Sequence, residues 1–444
     1  MRAKAMPVFM LIAWAAIFAG SAESQQTAPP THFARLIPSP EPGWPQWRGP
    51  RRDGISTETN LLSTWPEGGP HLLWKAEGLG YGYAAPIIVR DRIFLAGDAG
   101  PDLVVHALDL EGKAVWKATN GASWNGPYPG ARAACAYADG SILHLNAHGR
   151  LACLDASTGR ERWHVNILER FGGRNITWAL SECLLVDGPR VMVTAGGERA
   201  LMAALDLKNG RTLWTTPALL EAKMPGDSNP GEAATERAGY SSPVLFEMAG
   251  RRHLVNLSQT HGFGVDADTG KLLWSQPLPT RYKVLACTPA VYQDSVFLTG
   301  PDGRNIGLYR ITAIGEDVSV APRWPAKLDT CHGGVIVMGE RLYGSWYRGR
   351  KGWACLDANT GEVIYQTSEL TKGSALWADG RLYVLTEDGV MALVKPGPDA
   401  FEIVSRFPFA PKHKNDVWAH PVLLNGRLYL RQHQALFCYE VGKK

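Results

Sequence analysis

The chain has 444 residues, of which 45% are apolar and 16 are tryptophan, and its formal net charge is +4. This length suits about two or three average domains or one large ring of repeats, and the apolar content is ample for a packed core. Basic and acidic residues are interspersed, and the densest basic run, 348–351, is expected to form a solvated hairpin loop. The charge pattern therefore argues against a nucleic-acid-binding protein.

Residues 1–22 have the order of an export signal. Arg2 and Lys4 are positive, residues 7–18 are mostly apolar, and residues 20–22 are small enough for cleavage. The apolar run is too short for a membrane span. No cysteine lies near the cleavage point, so we expect no lipid anchor. The mature protein is predicted to be periplasmic or secreted.

An extended N-terminal arm is predicted over residues 23–70, because its first part is rich in Pro, Ser and Thr. The arm contains the motif WPQWRGP, which begins at Trp44 and includes Trp47. Two tryptophans in a segment without periodicity are expected to fix the arm onto a surface rather than to bind a ligand.

One short phrase occurs five times in the chain. An apolar residue and Asp precede a turn that contains Gly, and a large aromatic residue follows the Gly by four positions. Such a phrase is typical of a strand, a tight turn and a second strand. Repetition at this spacing predicts a ring or array of stacked units. The copies are residues 108–116, 154–163, 205–214, 265–274 and 356–365.

A second pattern, an apolar strand followed by a turn and another strand, gives the number of units. It begins near Ala85, Ala134, Ser181, Ser242, Thr288, Gly334, Ser374 and His420. The eighth unit lacks one strand, which residues 71–75 can supply, and such a closure hides the exposed edges of a ring. The sequence therefore predicts an all-β protein: over residues 71–442, an eight-bladed β-propeller of four-stranded antiparallel blades, closed by an N-terminal strand.

The seven cysteines are odd in number and show no CxxC spacing. We expect them to be small buried core residues rather than a disulfide framework or a metal site.

The repeats and several further motifs resemble a known family. The motifs are WALSE at 178–182, AGYSSP at 238–243, CHGG at 331–334 and WAHP at 418–421. Together they resemble the PQQ-like (quinoprotein alcohol dehydrogenase-like) β-propeller repeat, in particular exported bacterial PQQ-binding-like repeat proteins, over almost the whole chain from Trp44 to Val441. The propeller lipoprotein of outer-membrane β-barrel assembly is related in fold.

This resemblance implies two different functions. The quinoprotein dehydrogenases hold PQQ and Ca²⁺ with an adjacent pair of cysteines, a stacking Trp and an Asp base, and this chain has no adjacent cysteines. The assembly lipoprotein is a scaffold without catalytic activity, and this chain lacks the lipidated cysteine of that family.

Segments just before each predicted inner strand are rich in polar and aromatic residues. Because they occupy equivalent blade positions, we expect them to meet at one rim, joined by the loops 118–132 and 217–240. Glu182 with His332 offers general acid–base chemistry. Alternatively, the same residues only satisfy one another around a water-filled channel. The candidates are Tyr83, Trp178, Ser181, Glu182, Tyr240, Ser241, Thr288, His332, Lys372, Ser374, Trp418 and His420.

The leading functional prediction is a monomeric, non-catalytic scaffold that binds a protein, a peptide or an envelope component at the propeller face, without a cofactor, a metal or nucleic acid. The alternative is a PQQ-dependent oxidoreductase acting on alcohols or sugars, with PQQ and Ca²⁺ in the funnel. Carbohydrate binding by the rim tryptophans is a third possibility.

Overall fold

A computed structural model of the chain describes Met1 and residues 32–223, 234–348, 351–410 and 416–443. Apart from Met1, the predicted signal peptide and the first part of the predicted arm lie outside the described residues. Within this part of the chain, 33 strands form eight antiparallel sheets. The prediction of an all-β propeller with eight blades is therefore confirmed.

Two strands precede the first blade, and the next sixteen form blades 1 to 4 in chain order. The early pair are β1 (Arg35–Leu36) and β2 (His71–Ala76). The others are, for blade 1, β3 (Ile87–Val89), β4 (Arg92–Ala99), β5 (Asp102–Leu108) and β6 (Ala114–Ala122); for blade 2, β7 (Ala136–Ala138), β8 (Ser141–Leu145), β9 (Arg150–Asp155) and β10 (Glu161–Asn166); for blade 3, β11 (Leu185–Asp187), β12 (Arg190–Gly197), β13 (Ala200–Asp206) and β14 (Thr212–Thr216); and for blade 4, β15 (Val244–Met248), β16 (Arg251–Leu257), β17 (His261–Asp266) and β18 (Leu272–Pro277).

The remaining strands form blades 5 to 8 in the same order. They are, for blade 5, β19 (Ala290–Tyr292), β20 (Ser295–Leu298), β21 (Gly307–Ile314) and β22 (Asp317–Pro325); for blade 6, β23 (Val335–Met338), β24 (Arg341–Ser345), β25 (Trp353–Asp357) and β26 (Val363–Thr367); for blade 7, β27 (Gly373–Ala378), β28 (Arg381–Thr386), β29 (Val390–Pro396) and β30 (Phe401–Pro408); and for blade 8, β31 (Val422–Leu424), β32 (Arg427–Gln432) and β33 (Ala435–Glu440).

Blade 8 is completed by β2, as predicted. The strand order of this sheet is β2-β33-β32-β31, and His71 of β2 lies opposite Glu440 of β33. Because β2 covers the edge of β33, the ring has no gap between its first and last blades.

The first strand of each blade is innermost, except that in blade 4 the two-residue β1 pairs with the inner edge of β15 and makes this sheet five-stranded. These strands are short and largely buried, and several successive ones contact each other around the centre, such as β3 with β7 and β23 with β27. The last strands, such as β6, alternate between exposed and half-buried residues at the periphery. Residues that precede the first strands are therefore placed at the centre of the ring.

Adjacent blades are joined by the aromatic residue of the repeated phrase. The indole N–H of Trp116 donates to the carbonyl oxygen of Ala156 in the next blade at 3.0 Å. Its ring lies over Gly159, where a Cβ atom would approach it to 2.6 Å and where φ is +72°. Gly is thus required both by the turn and by the close approach of the ring. Trp74, Trp163 and Trp324 donate in the same way to Leu110, Leu207 and Ala358.

Trp274 departs from this arrangement. Blade 5 lacks the repeated phrase at its turn, where Ile314 and Gly315 occur instead. The ring of Trp274 lies against Gly264 of its own blade, where an added Cβ would meet the indole nitrogen at 2.2 Å.

Residues 44–56, here called the plug, run through the centre of the ring and contact all eight blades. Arg48 and Arg52 are only 4% and 2% exposed. The arm tryptophans were expected to fix a segment onto a surface, but the segment lies inside the channel instead. In blade order, the contacts are Trp44 with Ile88, Pro45 with Tyr137, Arg52 with Cys183 and Leu184, Arg52 with Pro243, Trp47 with Thr288, Arg48 with Val335, Ile55 with Trp377, and Ser56 with Leu423.

The plug is held mainly by two arginines. Arg52 donates to the carbonyl oxygens of Cys183, Leu184 and Pro243 at 2.7, 3.0 and 2.6 Å. Arg48 donates to Val335 at 2.7 Å. A planar guanidinium with several donors suits this role, because the ends of the inner strands present converging carbonyl groups.

The single helix among the described residues, α1 (Ile167–Phe171), follows blade 2 and is capped by the side chain of Asn166. None of the described helices has the length and apolar character needed to cross a membrane.

Candidate ligand-binding cavity

A cavity of about 590 Å³ lies at the centre of the ring, with Trp47 of the plug in its lining. Segments that precede the first strands of all eight blades contribute to it. Tyr83 comes from the segment before blade 1 and Trp418 from the one before blade 8. Residues spread over the whole sequence are therefore brought together at one place.

Seven of the residues singled out from the sequence line this cavity. They are Tyr83, Trp178, Ser181, Tyr240, His332, Lys372 and Trp418. The other five lie in the surrounding walls and floor rather than in the lining. They are Glu182, Ser241, Thr288, Ser374 and His420.

Alternation along extended backbone explains part of this division, because successive side chains point to opposite sides. Tyr240 lines the cavity, whereas its neighbour Ser241 is buried and donates to the carbonyl oxygen of Cys287 at 3.0 Å. Likewise Ser181 lines the cavity and Glu182 points into the wall.

The side chain of Glu182 is buried in the protein and does not line the cavity. Both carboxylate oxygens accept from the backbone N–H of Thr194 at 3.1 Å, and Asn256 donates to one of them at 3.3 Å. Burial raises the pKa of Glu182 from 4.5 to about 7, although these hydrogen bonds and Arg52 act in the opposite direction. Of the suggested acid–base pair, only His332 lines the cavity.

The floor is formed by Trp47 and two of the predicted residues. The indole N–H of Trp47 donates to Oγ1 of Thr288 at 3.1 Å, and its ring lies 4.3 Å from that of His420. His420 in turn donates from Nε2 to the carbonyl oxygen of His332 at 2.9 Å. Burial, reinforced by the charge of Arg48, lowers the pKa of His420 to about 3, so it supports the floor as a neutral ring.

Aromatic rings form much of the wall, with Trp418 in contact with three of them. Its ring centroid lies 4.9 Å from Tyr83, 5.2 Å from Tyr128 and 5.1 Å from His332. Burial, and then the charge of Lys372, lowers the pKa of His332 to about 4, so this ring is neutral at pH 7. Aromatic walls with a few placed polar groups are typical of small-molecule and peptide sites.

Three cationic side chains line the cavity. Lys372 lies 3.7 Å from Glu387, the one carboxylate in the lining, and 4.3 Å from the ring centre of Tyr347. Arg348 forms a two-pronged ion pair with Asp302. Arg132 is part of the lining and lies 5.9 Å from the ring centre of Tyr83.

Several lining residues were not singled out from the sequence. Tyr128 and Arg132 belong to the loop 118–132, which was expected to rim this face, and Arg348 belongs to the basic run expected to be solvated. Trp47 was assigned to a surface contact. Tyr282 and Tyr347 lie in loops after outer or middle strands, where no repeated pattern marks them. Of the loop 217–240, Tyr240 lines the cavity, and residues 224–233 lie outside the described residues.

Comparison with known proteins places the chain in a family. Residues 101–366, more than half of the chain, match the family described as outer membrane protein assembly factor BamB. The chain belongs to the BamB family. The resemblance to PQQ-like repeat propellers seen in the sequence is thereby confirmed.

Solved structures similar to this member of the BamB family include both types of propeller. BamB from Moraxella catarrhalis matches with a TM-score of 0.56 and 15% identity, over 84% of this chain and 98% of that protein. Quinohemoprotein alcohol dehydrogenase from Comamonas testosteroni matches with a TM-score of 0.59 and 14% identity, over 91% of this chain and 81% of that one. At such identities the likeness shows the fold alone.

A curated enzyme also matches part of this BamB-family chain. A 1-butanol dehydrogenase (quinone) from Thauera butanivorans is 28% identical over 147 residues, which are 32% of this chain. The match spans only 22% of that enzyme's length.

The cavity residues do not fit the Ca²⁺-supported PQQ of the quinoprotein dehydrogenases. Calcium prefers several oxygen ligands, usually with carboxylates among them. The lining offers one carboxylate, Glu387, which is paired with Lys372. The residues that the structure describes contain no group of three or more His, Cys, Asp or Glu side chains suited to a metal.

Proposed function

We propose that this protein is a non-catalytic binding scaffold that holds a segment of a peptide or protein partner in the central cavity. The observation that supports it best is the cavity itself, to which all eight blades contribute and in which aromatic rings surround a few polar groups. Rigid aromatic side chains provide a large contact area at a low cost in conformational entropy, and they often dominate binding energy.

The ionisable groups of the cavity favour binding over catalysis. A general base or nucleophile needs a pKa matched to its task. Burial, the main cause, raises the pKa of the Cys331 thiol to about 12, and His332 is neutral with a pKa of about 4. Glu387 is paired with Lys372. Cys331 and His332 are therefore not poised for proton transfer near pH 7, and burial, which raises the pKa of Glu387, is opposed there by the charge of Lys372.

The proposed location is the periplasm or the cell exterior. The charged, apolar and small-residue order of residues 2–22 supports this address, and so does membership of a family described as an outer-membrane assembly factor. A monomer that engages its partner at the open face of the ring is the form we propose.

The test uses a library of fluorescent hexapeptides and measures binding by anisotropy. The variant with Trp178 and Trp418 both replaced by Ala should lose binding by at least tenfold, because each aromatic anchor often contributes about 2 kcal/mol. Leu213→Ala, which changes an exposed side chain on the outer strand of blade 3, is the control and should bind like the wild type. Equal binding by a folded double variant would exclude the cavity as the site.

A quinone-dependent oxidoreductase is the second candidate, favoured by the partial match to the 1-butanol dehydrogenase (quinone). Because the cavity does not provide the ligands for a Ca²⁺-supported PQQ, we rank it below the binding scaffold.

A further inference from the structure

The cavity is closed at one end. Trp47 forms the floor, and behind it Arg48 and Arg52 are almost completely buried against backbone carbonyl groups of several blades. The opposite end is open, and Tyr128 and Tyr282 are each 53% exposed while lining the cavity. A polypeptide that enters must therefore leave through the same mouth. A chain end satisfies this condition more easily than a continuous segment, which would have to fold back on itself.

The charge of the cavity selects between the two kinds of chain end. Three cations and one carboxylate line it, and His332 adds no charge at pH 7. Asp302 offsets the charge of Arg348 from beside the lining, which leaves an excess of one positive charge. An amino terminus is positive and would be repelled, whereas a carboxyl terminus is attracted. The low polarity of aromatic walls strengthens both effects.

Arg132 is the cation best placed to receive a carboxylate. Lys372 and Arg348 already face Glu387 and Asp302, whereas no carboxylate among the described residues lies within ion-pairing distance of Arg132. Asp98 acts on it only through space, and its own carboxylate accepts from the backbone N–H of Trp124.

The donors of Arg132 are only partly used. Nη1 donates to Gly130, and Nη2 donates to Pro127 and Tyr128, which fixes the guanidinium in place. A guanidinium has five N–H donors, so part of its capacity remains available. A held guanidinium binds a carboxylate with little further loss of side-chain freedom.

We infer that the cavity binds the free carboxyl terminus of a polypeptide, with the terminal carboxylate on Arg132 and an apolar or aromatic last side chain against Trp418 and Tyr83. This inference rests on the proposed function and adds the chemistry of the bound segment. The three rings that contact Trp418 provide the apolar surface beside the arginine.

The experiment measures the affinity of matched N-acetylated hexapeptide pools by isothermal titration calorimetry. One pool has random residues at the last three positions and a free carboxyl terminus, and the second is identical but amidated. A third is amidated and has Asp at its penultimate position. Phenylpropionate is the small-molecule arm, because it has the same carboxylate and ring without a peptide chain.

We expect the free-acid pool to bind at least tenfold more tightly than either amidated pool, and phenylpropionate to bind more weakly than the free-acid pool. Arg132→Gln should abolish the preference for the free acid. Arg35→Gln, which removes an exposed arginine that lies outside the cavity and pairs with Glu247, should retain it. Retention of the preference by a folded Arg132→Gln protein would overturn the role of Arg132.

The outcomes separate this inference from the proposed function. Equal binding of free-acid and amidated pools would overturn the inference and leave the binding scaffold standing. Equal binding of the Asp-containing pool would assign the site to acidic side chains instead. If phenylpropionate binds as tightly as the free-acid pool, the inference of a polypeptide terminus is overturned and the ligand is a small molecule. If no pool binds, both proposals are overturned.

Discussion

The indole N–H of Trp74 donates a hydrogen bond of 2.9 Å to the backbone carbonyl oxygen of Leu110. Trp74 belongs to the strand that completes blade 8, and Leu110 lies in the turn between the last two strands of blade 1. The bond therefore joins the last blade to the first. It repeats, at the point where the ring closes, the contact that Trp116 makes between blades 1 and 2.

Trp74→Ala should lower the free energy of unfolding by about 2–3 kcal/mol, below the range for a fully buried Trp because the side chain is half-buried. Trp74→Phe should cost about 1 kcal/mol, since it keeps a ring but loses the hydrogen bond. Urea denaturation measures both. Leu72→Ala, on the same strand but 42% exposed, is the control. Equal unfolding curves for Trp74→Ala and the wild type would contradict a role of this contact in closure.

Arg52→Met should destabilise the protein by about 3 kcal/mol, because it leaves three buried carbonyl oxygens without their donor. The adjacent Arg51 forms an ion pair with Asp53 and is partly exposed, so Arg51→Met should change stability by no more than about 0.5 kcal/mol. Chemical denaturation of the two variants compares neighbouring residues of the same type. A loss for Arg52→Met as small as that expected for Arg51→Met would mean that the hydrogen bonds of Arg52 contribute little to stability.

Glu182→Gln should alter how stability depends on pH. In the folded protein the pKa of Glu182 is about 7, above its ordinary value of 4.5. The folded state therefore binds more protons than the unfolded state between these values, and its stability falls as pH rises through this window. Above the folded pKa the full loss of stability is on the order of 3 kcal/mol.

The free energy of unfolding of Glu182→Gln, taken relative to that of the wild type, should increase from pH 5 to pH 7.5. Urea denaturation at the two pH values measures this difference. Glu402→Gln, at an exposed side chain, is the control and should follow the wild type at both pH values. A constant difference between Glu182→Gln and the wild type would show that the carboxyl group does not titrate in this window.

Addition of PQQ and Ca²⁺ should give neither a stoichiometric complex nor dye-linked oxidation of 1-butanol. The reason is the single, paired carboxylate of the lining, which is too few oxygen ligands for Ca²⁺. Calorimetry and a dye-reduction assay measure the two properties, with a quinoprotein alcohol dehydrogenase as the positive control. A complex of micromolar affinity with turnover would make the oxidoreductase the correct function.

The sequence predicted the ring well because its determinants are local. The repeated Asp, Gly and aromatic positions specify a hairpin and the contact between blades, and each predicted blade start lies within a few residues of an observed inner strand. The strand from residue 71 was found because one blade lacked a strand.

The plug could not be predicted in the same way. Arg48 and Arg52 bind backbone carbonyl groups of remote blades, and a carbonyl has no signature in the sequence. The cavity lining was predicted in part, because residues that precede the inner strands come together at the centre of the ring whatever their identity. Which member of a neighbouring pair faces the cavity, as with Ser181 and Glu182, depends on the local backbone direction.

The construction of blade 8 from the second and the last strands of the described chain has a consequence for folding. The ring cannot close until β33 has been synthesised, more than 350 residues after β2, so this pairing has a very high sequence separation and should be a slow step. Before that step, β2 and β33 each have an unpaired edge. At high protein concentration, β2 of one molecule can complete blade 8 of another, so we expect refolding to yield strand-exchanged dimers whose fraction rises with concentration.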